Sequence, residues 1–292
     1  MTAEPFGRAP EDPPRTRLLS ADAHKGDRGR ALVVAGSVGM SGAARLAAAG
    51  VAAGGVGLVL AVAPEPVRPE IAAFDPALMT RGVRATLAGT FAACAVREVL
   101  RLVEDFGADA CLVGPGLGEH PETTAFARRC VAEIPRPLVV DADALNALAA
   151  ATDGPVARAS AAPRIFTPHP GEAARLLGVP VAAVQGDREA AVRALQARLG
   201  GVVVLKGAGT LVCDGAALRR NDTGNAALAV GGTGDVLAGL VAAYLARGAL
   251  PLDAACDAVR LHGAAADRLV RENGPGPVRH AALCAWLGRL SG

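Results

Sequence analysis

The amino-acid sequence predicts an α/β fold in which a central, mostly parallel sheet has helices on both faces. Six short apolar runs of β type alternate along the chain with helical patterns, and 51% of the 292 residues are hydrophobic. Strands that are apolar along their whole length are typical of parallel sheets covered on both faces. The six runs lie at residues 30–36, 56–62, 109–114, 137–143, 164–168 and 202–207.

The segments that follow these strands are rich in glycine and in polar or charged residues. In chain order they read GSVGMSG, GPGLG, DADALN, TPHPGE and KGAGT. In open α/β sheets, ligands bind outside the carboxyl ends of the strands. We therefore expect these five loops to meet at one edge of the sheet and to form a site there.

Residues 46–64 form an uncharged run that is long enough to suggest a membrane span. Gly54 and Gly55 divide this run into an alanine-rich helical pattern, over about 42–53, and the second β-type run. We therefore predict a helix–turn–strand step of the α/β fold and no membrane association. Residues 251–290 are predicted to form further helices.

The first twenty residues are charged and proline-rich, and they lack the apolar segment of a secretion signal. We interpret residues 1–20 as a loose leader and residues 21–292 as a single domain without internal repeats.

The composition excludes some classes of partner. The formal net charge is +2 and aromatic residues make up 3% of the chain, so neither a basic face nor a base-stacking platform for nucleic acid is indicated. A small-molecule partner is favoured. The six cysteines form no CxxC pair, which is typical of reduced thiols in a cytoplasmic protein and does not indicate a zinc site.

The stretch of residues 221–248 predicts an anion-binding site. Gly231, Gly232 and Gly234 lie directly before an apolar helical run that ends at Gly248. A glycine loop that opens a helix offers free N–H groups and the positive end of the helix dipole to a phosphate. Asp235 at this start has two explanations: it caps the helix, or it takes a proton from a hydroxyl that attacks phosphorus. The preceding glycines favour the second.

The thirty basic residues include only two lysines, Lys25 and Lys206, and each is followed by glycine. A compact ammonium is not interchangeable with a guanidinium fork near a phosphate or a backbone carbonyl. The rarity of lysine therefore favours a specific role for each of the two. The alternative is that each is a solvated lysine on a loop.

The histidine of TPHPGE lies between two prolines that fix its backbone at a strand end. His169 is therefore a candidate for binding, and the alternative is a turn histidine bonded only to the backbone. Glu172 is able to reach a water molecule around a magnesium ion, or to serve as a first-turn acid of the next helix. Asp141 and Asp143 offer paired carboxylates to a ribose hydroxyl or to metal-bound water, and helix capping is the alternative.

Several motifs in a fixed order, over about residues 24–270, carry a family resemblance. They read HKGDRGRALVVAGSVGMSGAARLAAAG, GPGLG, PLVVDADALN, TPHPGE, VVVLKGAGT and GNAALAVGGTGDVLAG. Together they resemble the ADP-dependent NAD(P)H-hydrate dehydratase family, a branch of the ribokinase-like fold. The resemblance implies an enzyme, often oligomeric, that restores the S epimer of hydrated NADH or NADPH with ADP and magnesium and releases AMP and phosphate. It also implies that the ring hydroxyl is phosphorylated before phosphate is eliminated.

The resemblance further implies roles for individual residues. Asp235 would be the catalytic base. The expected nucleotide contacts are Lys206, Gly207, Ala208, Gly209, Thr210 and Gly234. The expected substrate contacts are Ala43, Gly116, His169 and Asp235. The anion hole would consist of Gly231, Gly232, Thr233 and Gly234. Residues 168–172 resemble the P-N-x-x-E pattern of related sugar kinases, so Glu172 is implied as a magnesium contact through water.

The chain departs from the family pattern in two places. Ala226 and Ala227 replace a proline and a glycine before the anion hole, and Arg279 and His280 stand where a small polar residue and an acid are expected. Many relatives carry an epimerase domain in front, and the short leader predicts that epimerisation falls to a separate protein. Two other functions stay open: a small-molecule kinase of the same fold, and a catalytically silent adenylate-binding regulator.

Overall fold

Ten strands form one sheet in the part of the chain that the computed structural model describes, which is residues 3–18, 20, 22–150 and 160–292. The strands are β1 (Glu4–Pro5), β2 (Arg30–Val34), β3 (Leu58–Pro64), β4 (Met79–Val83), β5 (Ala110–Val113), β6 (Leu138–Val140), β7 (Arg164–Phe166), β8 (Val202–Leu205), β9 (Leu211–Cys213) and β10 (Leu218–Arg220). The helices are α1 (Ser41–Ala53), α2 (Arg68–Ala72), α3 (Val96–Phe106), α4 (Pro121–Glu133), α5 (Asp143–Ala149), α6 (Pro170–Leu177), α7 (Val181–Gly186), α8 (Arg188–Leu199), α9 (Thr233–Ala246), α10 (Pro251–Asn273) and α11 (His280–Leu290).

The sheet has the order β1-β10-β9-β8-β7-β6-β5-β2-β3-β4. From β8 to β4 every neighbouring pair is parallel, whereas β9 pairs antiparallel with both β8 and β10. In register, Leu32 of β2 lies between Leu60 of β3 and Cys111 of β5. The predicted mostly parallel sheet is confirmed, and each of the six predicted runs overlaps one of its strands.

Helices cover both faces of the sheet, as predicted, and they enclose two separate apolar cores. Successive side chains of β2 alternate between these cores, because side chains along a strand point to opposite faces. Ala31 and Val33 pack into the core built with α1, α9, α10 and α11. Leu32 and Val34 pack into the core built with α3, α4, α5, α6 and α8. This double burial explains why the predicted strands are apolar on nearly every residue.

Helices α1 and α9 pack backbone against backbone. A Cβ on Gly50 would lie 2.2 Å from the Val236 carbonyl oxygen, and a Cβ on Gly239 would lie 2.1 Å from the Ala47 carbonyl oxygen. Only glycine permits this approach. The contact fixes α9, and with it the predicted anion site at its start, against the helix that follows β2.

The uncharged run of residues 46–64 divides between α1 and β3, as predicted. No helix of the described residues combines the length and the apolar character that a membrane crossing requires. The six cysteines are all free thiols, and four of them are buried.

The described part of the leader is attached to the rest of the chain. Strand β1 extends the sheet beside β10. The buried Arg260 guanidinium donates hydrogen bonds to the carbonyl oxygens of Ala9 and Asp12, and Arg15 donates to the Asp257 carboxylate. Buried charges on α10 thus find their partners in the leader, and the expectation of a loose segment stays a prediction.

A single domain over residues 21–292 stays a prediction. Residues 1, 2 and 19 of the leader, and residues 21 and 151–159 of the predicted domain, lie outside the described residues.

Candidate functional site

A cavity of about 690 Å³ opens beside the end of β8 and the start of α9. Its lining comprises residues 206–210, 221–226, 228, 229, 233, 234, 237, 259, 262 and 263. All six expected nucleotide contacts are therefore brought together in one lining. This arrangement suits a ligand that is held mostly by backbone groups, because much of the lining is glycine or alanine.

The first turn of α9 keeps its backbone donors available. Gly232 is the N-cap residue in a left-handed conformation (φ 92°), and no side chain caps the helix. Thr233 donates its hydroxyl hydrogen to the carbonyl groups of Leu228 and Val230, which holds the turn in shape. Among the described residues, the N–H groups of Gly232 and Gly234 have no acceptor. Free N–H groups at a helix N-terminus form a ready site for an anion.

Asp235 is the third residue of α9 and not its cap, so the capping explanation is wrong. Burial raises the pKa of this carboxyl to about 7; nearby Asp141 adds to the shift and Lys206 opposes it. A carboxyl whose pKa lies near neutral pH is suited to accept a proton as a general base.

Lys206 lies between the cavity and a group of buried carboxylates. Its Nζ donates a hydrogen bond of 2.7 Å to Asp141 Oδ1 and lies 3.9 Å from Glu172 Oε2. Thr167 Oγ1 donates to the same Asp141 oxygen at 2.7 Å. Burial lowers the Lys206 pKa, but the carboxylates outweigh burial and the pKa is raised, so the ammonium stays charged. A Cβ on Gly234 would lie 3.4 Å from Nζ, which places the charge beside the first turn of α9.

Asp141 and Asp143 have separate tasks, and neither side chain caps α5, whose N-cap residue is Ala142. Asp143 Oδ2 accepts a 2.9 Å hydrogen bond from the Gly118 N–H and so holds the GPGLG loop. Ala142 has a φ of 51°, the one positive φ of a non-glycine residue in the described chain. Strained backbone of this kind clusters at functional sites, and no sequence signal indicated it.

His169 and Glu172 form a reciprocal cap on α6. His169 Nδ1 accepts hydrogen bonds from the N–H groups of Gly171 (2.9 Å) and Glu172 (3.3 Å), and Glu172 Oε2 accepts one from the His169 N–H at 2.7 Å. Burial lowers the His169 pKa, and burial raises the Glu172 pKa to about 7. Both alternatives given for these residues, a turn histidine and a first-turn acid, therefore describe contacts that are present.

The expected substrate contacts lie beside the cavity and not in its lining. Ala43 and Gly116 are neighbours, since a Cβ on Gly116 would lie 2.9 Å from the Ala43 Cβ. The GPGLG loop is tied to Asp143, and the charge of Asp143 acts on Asp235. Lys25 lies exposed at the opposite edge of the sheet, where its carbonyl packs against Gly57.

Two contacts near the predicted anion hole of residues 231–234 were not predicted from the sequence. His280 Nε2 donates to the Gly231 carbonyl oxygen at 2.9 Å, so the departure at this position touches the predicted anion hole. Asn225 Nδ2 donates to Asp267 Oδ1 at 2.7 Å, and Asn225 begins a 3-10 turn, Ala226–Leu228. The two alanines that replace the family's proline and glycine therefore form a regular turn. In the sequence, the departures from the family motif were the only sign that these two regions have contacts of their own.

The fold and the site define a class of α/β protein in which free N–H groups at a helix N-terminus lie beside an ionisable carboxylate. The family model for NAD(P)H-hydrate dehydratase matches residues 31–286. The chain belongs to this family, as its motifs predicted, and the ribokinase-like fold class is confirmed.

Three relatives illustrate the similarity. A protein of Neisseria meningitidis, named ADP-dependent (S)-NAD(P)H-hydrate dehydratase, is 40% identical over 255 residues, which cover 86% of this chain and 80% of the relative. The bifunctional NAD(P)H-hydrate repair enzyme Nnr of Moorella thermoacetica is 40% identical over 87% of this chain and 47% of its own length. The ADP/ATP-dependent NAD(P)H-hydrate dehydratase of Bacillus subtilis, co-crystallised with ATP and Mg²⁺, has a TM-score of 0.79 and 32% identity, covering 96% of this chain and 94% of that one. The chain thus spans about half the length of the bifunctional relatives.

Proposed function

We propose that this protein is an ADP-dependent dehydratase that restores NADH or NADPH from the S epimer of the hydrated cofactor and releases AMP and phosphate. One observation carries the proposal: Lys206, with residues 207–210 and Gly234, lines a cavity that adjoins a carboxyl, Asp235, whose pKa is raised to about 7. The name of the Neisseria meningitidis relative supports the same reaction, and the co-crystallisation of the Bacillus subtilis dehydratase with ATP and Mg²⁺ supports the use of an adenine nucleotide.

The proposed chemistry has two steps. Asp235 takes the proton from the hydroxyl of the hydrated ring as its oxygen forms a bond to the β-phosphorus of ADP, and the P–O bond to AMP breaks. The ring C–O bond then breaks, phosphate leaves with the bonding electrons, and loss of a ring proton restores the double bond. The water of the hydrate is thereby consumed in converting ADP to AMP and phosphate.

The first turn of α9 is suited to the charge of this reaction. In our proposal its N–H groups, the anion hole of residues 231–234, hold the transferred phosphoryl group. Lys206, which is paired with Asp141, neutralises phosphate charge. The glycine-rich loop of residues 207–210 holds the adenylate. Ala43, Gly116 and His169 contact the hydrated dinucleotide.

Magnesium fits this site as part of a metal–nucleotide complex. No group of three or more His, Cys, Asp or Glu side chains within the described ranges is able to enclose a metal ion. Mg²⁺ commonly keeps several waters and binds through one or two carboxylates together with substrate phosphates. Asp141 and Glu172 beside Lys206 provide such carboxylates, and Glu172 is our proposed contact through water. The ion would neutralise charge that develops on the phosphates.

We also propose that the protein works in the cytoplasm as a homo-oligomer with small-molecule substrates. The free thiols of all six cysteines support a reducing compartment. Family resemblance supports the oligomer.

The decisive assay is recovery of reduced-nicotinamide absorbance from hydrated NADH with ADP and magnesium, run beside ATP and a control without nucleotide. Recovery with release of AMP and phosphate is the expected result. A lasting phosphorylated product formed from ATP would instead establish a kinase. Nucleotide binding without turnover of hydrated NADH or NADPH would establish a silent binder.

A further inference from the structure

The loop before α9 is held from outside by residues 278–280, which lead into α11. The Val278 N–H donates a hydrogen bond of 3.0 Å to the Ala227 carbonyl oxygen, near the start of this loop. His280 Nε2 donates one of 2.9 Å to the Gly231 carbonyl oxygen, near its end. Each of the two places where the chain departs from the family pattern thus lies at one of these bonds. A short segment from the end of the chain therefore holds the predicted anion hole and the turn before it.

The His280 ring also packs against the next residue of the anion hole. A Cβ on Gly232 would lie 3.0 Å from His280 Nε2 and 3.6 Å from its Cδ2. A carbonyl oxygen only accepts hydrogen bonds, so the Nε2 atom carries the hydrogen of the bond to Gly231. The edge of the imidazole therefore lies directly against the peptide unit that joins Gly231 and Gly232.

This peptide unit carries a donor as well as the carbonyl group that His280 holds. Because the unit is planar and trans, its C=O and its N–H point in opposite directions. The bond to the Gly231 carbonyl therefore turns the Gly232 N–H away from His280. Within the described ranges this N–H has no acceptor, which suits a donor that is kept for an anion at a helix N-terminus.

Two consecutive glycines do not fix the direction of that donor by themselves. Glycine has access to more backbone conformations than any other residue, so the peptide between Gly231 and Gly232 would rotate easily without an outside contact. A donor stabilises the charge of a transition state best when it is already in position, because no reorganisation is then needed. The hydrogen bond from His280 supplies this restraint.

We infer that His280 is a positioning residue of the anion hole: it fixes the peptide between Gly231 and Gly232 so that the Gly232 N–H points at the phosphoryl group that is transferred. This inference rests on the proposed function. In this role His280 acts through the backbone and does not touch the substrate. Its loss should therefore affect kcat more than KM for ADP, because residues 206–210 still hold the adenylate when the donor is mobile.

The first test compares two substitutions by steady-state kinetics with hydrated NADH and ADP. His280→Leu removes the donor and keeps an apolar side chain of moderate bulk; we expect kcat to fall about 10-fold while KM for ADP changes by less than about 3-fold. His280→Gln offers an amide N–H in place of the ring N–H, so most of the lost kcat should return. A role in folding alone would instead lower the melting temperature and leave kcat per folded molecule unchanged.

The matched control for these variants is His24→Leu, since the His24 side chain is 76% exposed and lies on a loop outside the cavity. Wild-type kcat in His280→Leu would overturn the inference. An equal loss of kcat in His280→Leu and His280→Gln would also overturn it, because a missing donor would not explain that loss. If His280→Leu does not fold, as judged by its melting temperature, His280→Ala takes its place.

The second test needs no turnover and so separates this inference from the proposed function. Calorimetric titration with ADP and with AMP isolates the contribution of the β-phosphate. We expect His280→Leu to bind ADP about 3-fold more weakly and AMP like wild type, and His280→Gln to bind both like wild type. An unchanged ratio of the two affinities in His280→Leu overturns the inference alone. Wild type that binds ADP without turnover overturns the proposed function, and wild type that binds neither nucleotide overturns both.

Discussion

Helices α6 and α9 both begin at the site and use their first N–H groups in opposite ways. In α6, the side chains of His169 and Glu172 accept hydrogen bonds from the free N–H groups at the start of the helix. In α9, Gly232 is the cap residue and offers no side chain, so the donors stay available. Every helix has a positive end. The difference between the two helices is that no side chain caps α9 and that Asp235 lies beside its free donors, which is what the proposed anion site requires.

Among the tests of the uncapped N-terminus of α9, Asp235→Asn has the largest expected effect. The amide cannot take the proton from the attacking hydroxyl, so we expect turnover to fall by about 10²–10⁴-fold while ADP binding persists. Recovery of nicotinamide absorbance and a binding titration measure the two quantities. The control is Asp105→Asn, an exposed residue on α3. Near-normal turnover in Asp235→Asn would assign the base to another group.

Gly232→Ala should obstruct the free N–H groups at the N-terminus of α9 sterically. The new Cβ would require a left-handed backbone and would lie 2.4 Å from Leu46 Cδ1 and 3.0 Å from His280 Nε2. We expect ADP to bind about 10-fold more weakly, because the loop and its N–H groups must shift. Gly178→Ala is the control for strain alone, since Gly178 also has a positive φ but has nothing near its Cβ position. Equal ADP affinity in both variants would show that the position of Gly232 does not matter for binding.

His169→Ala tests whether the capped N-terminus of α6 also contacts substrate. Loss of the cap should lower the free energy of unfolding by about 1 kcal/mol. The matched control is His120→Ala, because His120 caps α4 in the same way, with its Nδ1 accepting from the Glu122 N–H. A substrate contact predicts that KM for the hydrated cofactor rises by roughly 2- to 10-fold in His169→Ala only. An unchanged KM in both variants would leave His169 as a cap and remove it from the substrate site.

The pH dependence of stability tests the buried environment of Asp235. The pKa of Asp235 is raised to about 7 in the folded protein, so the folded state binds more protons than the unfolded state between about pH 4 and pH 7. Its contribution therefore lowers stability as pH rises through this window. From pH 5 to pH 8 we expect wild type to lose roughly 1–2 kcal/mol more than Asp235→Asn, allowing for partial exposure. Urea unfolding at several pH values measures this difference, and parallel curves would contradict the raised pKa.

Most of the central sheet was predictable from the sequence. Strands β2, β3 and β5 to β8 are apolar on nearly every residue because helices bury both of their faces. The other four strands were missed. β4 and β10 are short, partly polar and only partly buried, and β1 has two residues at the sheet edge. Such strands form because a neighbouring strand offers hydrogen bonds, and their own sequence carries little signal.

The sequence by itself determined the anion loop and the side chains that surround it, since glycine spacing before an apolar helix has few other uses. The local sequence did not distinguish Lys206 from Lys25, because both precede a glycine on a loop, and only the family resemblance assigned Lys206 to the nucleotide site. Only the tertiary structure decided that Lys206 meets Asp141 at 2.7 Å and that burial beside this pair moves the Asp235 pKa to about 7. The reason is physical: backbone conformation follows from local residue types, whereas burial and charge pairing depend on residues that folding brings together from distant strands.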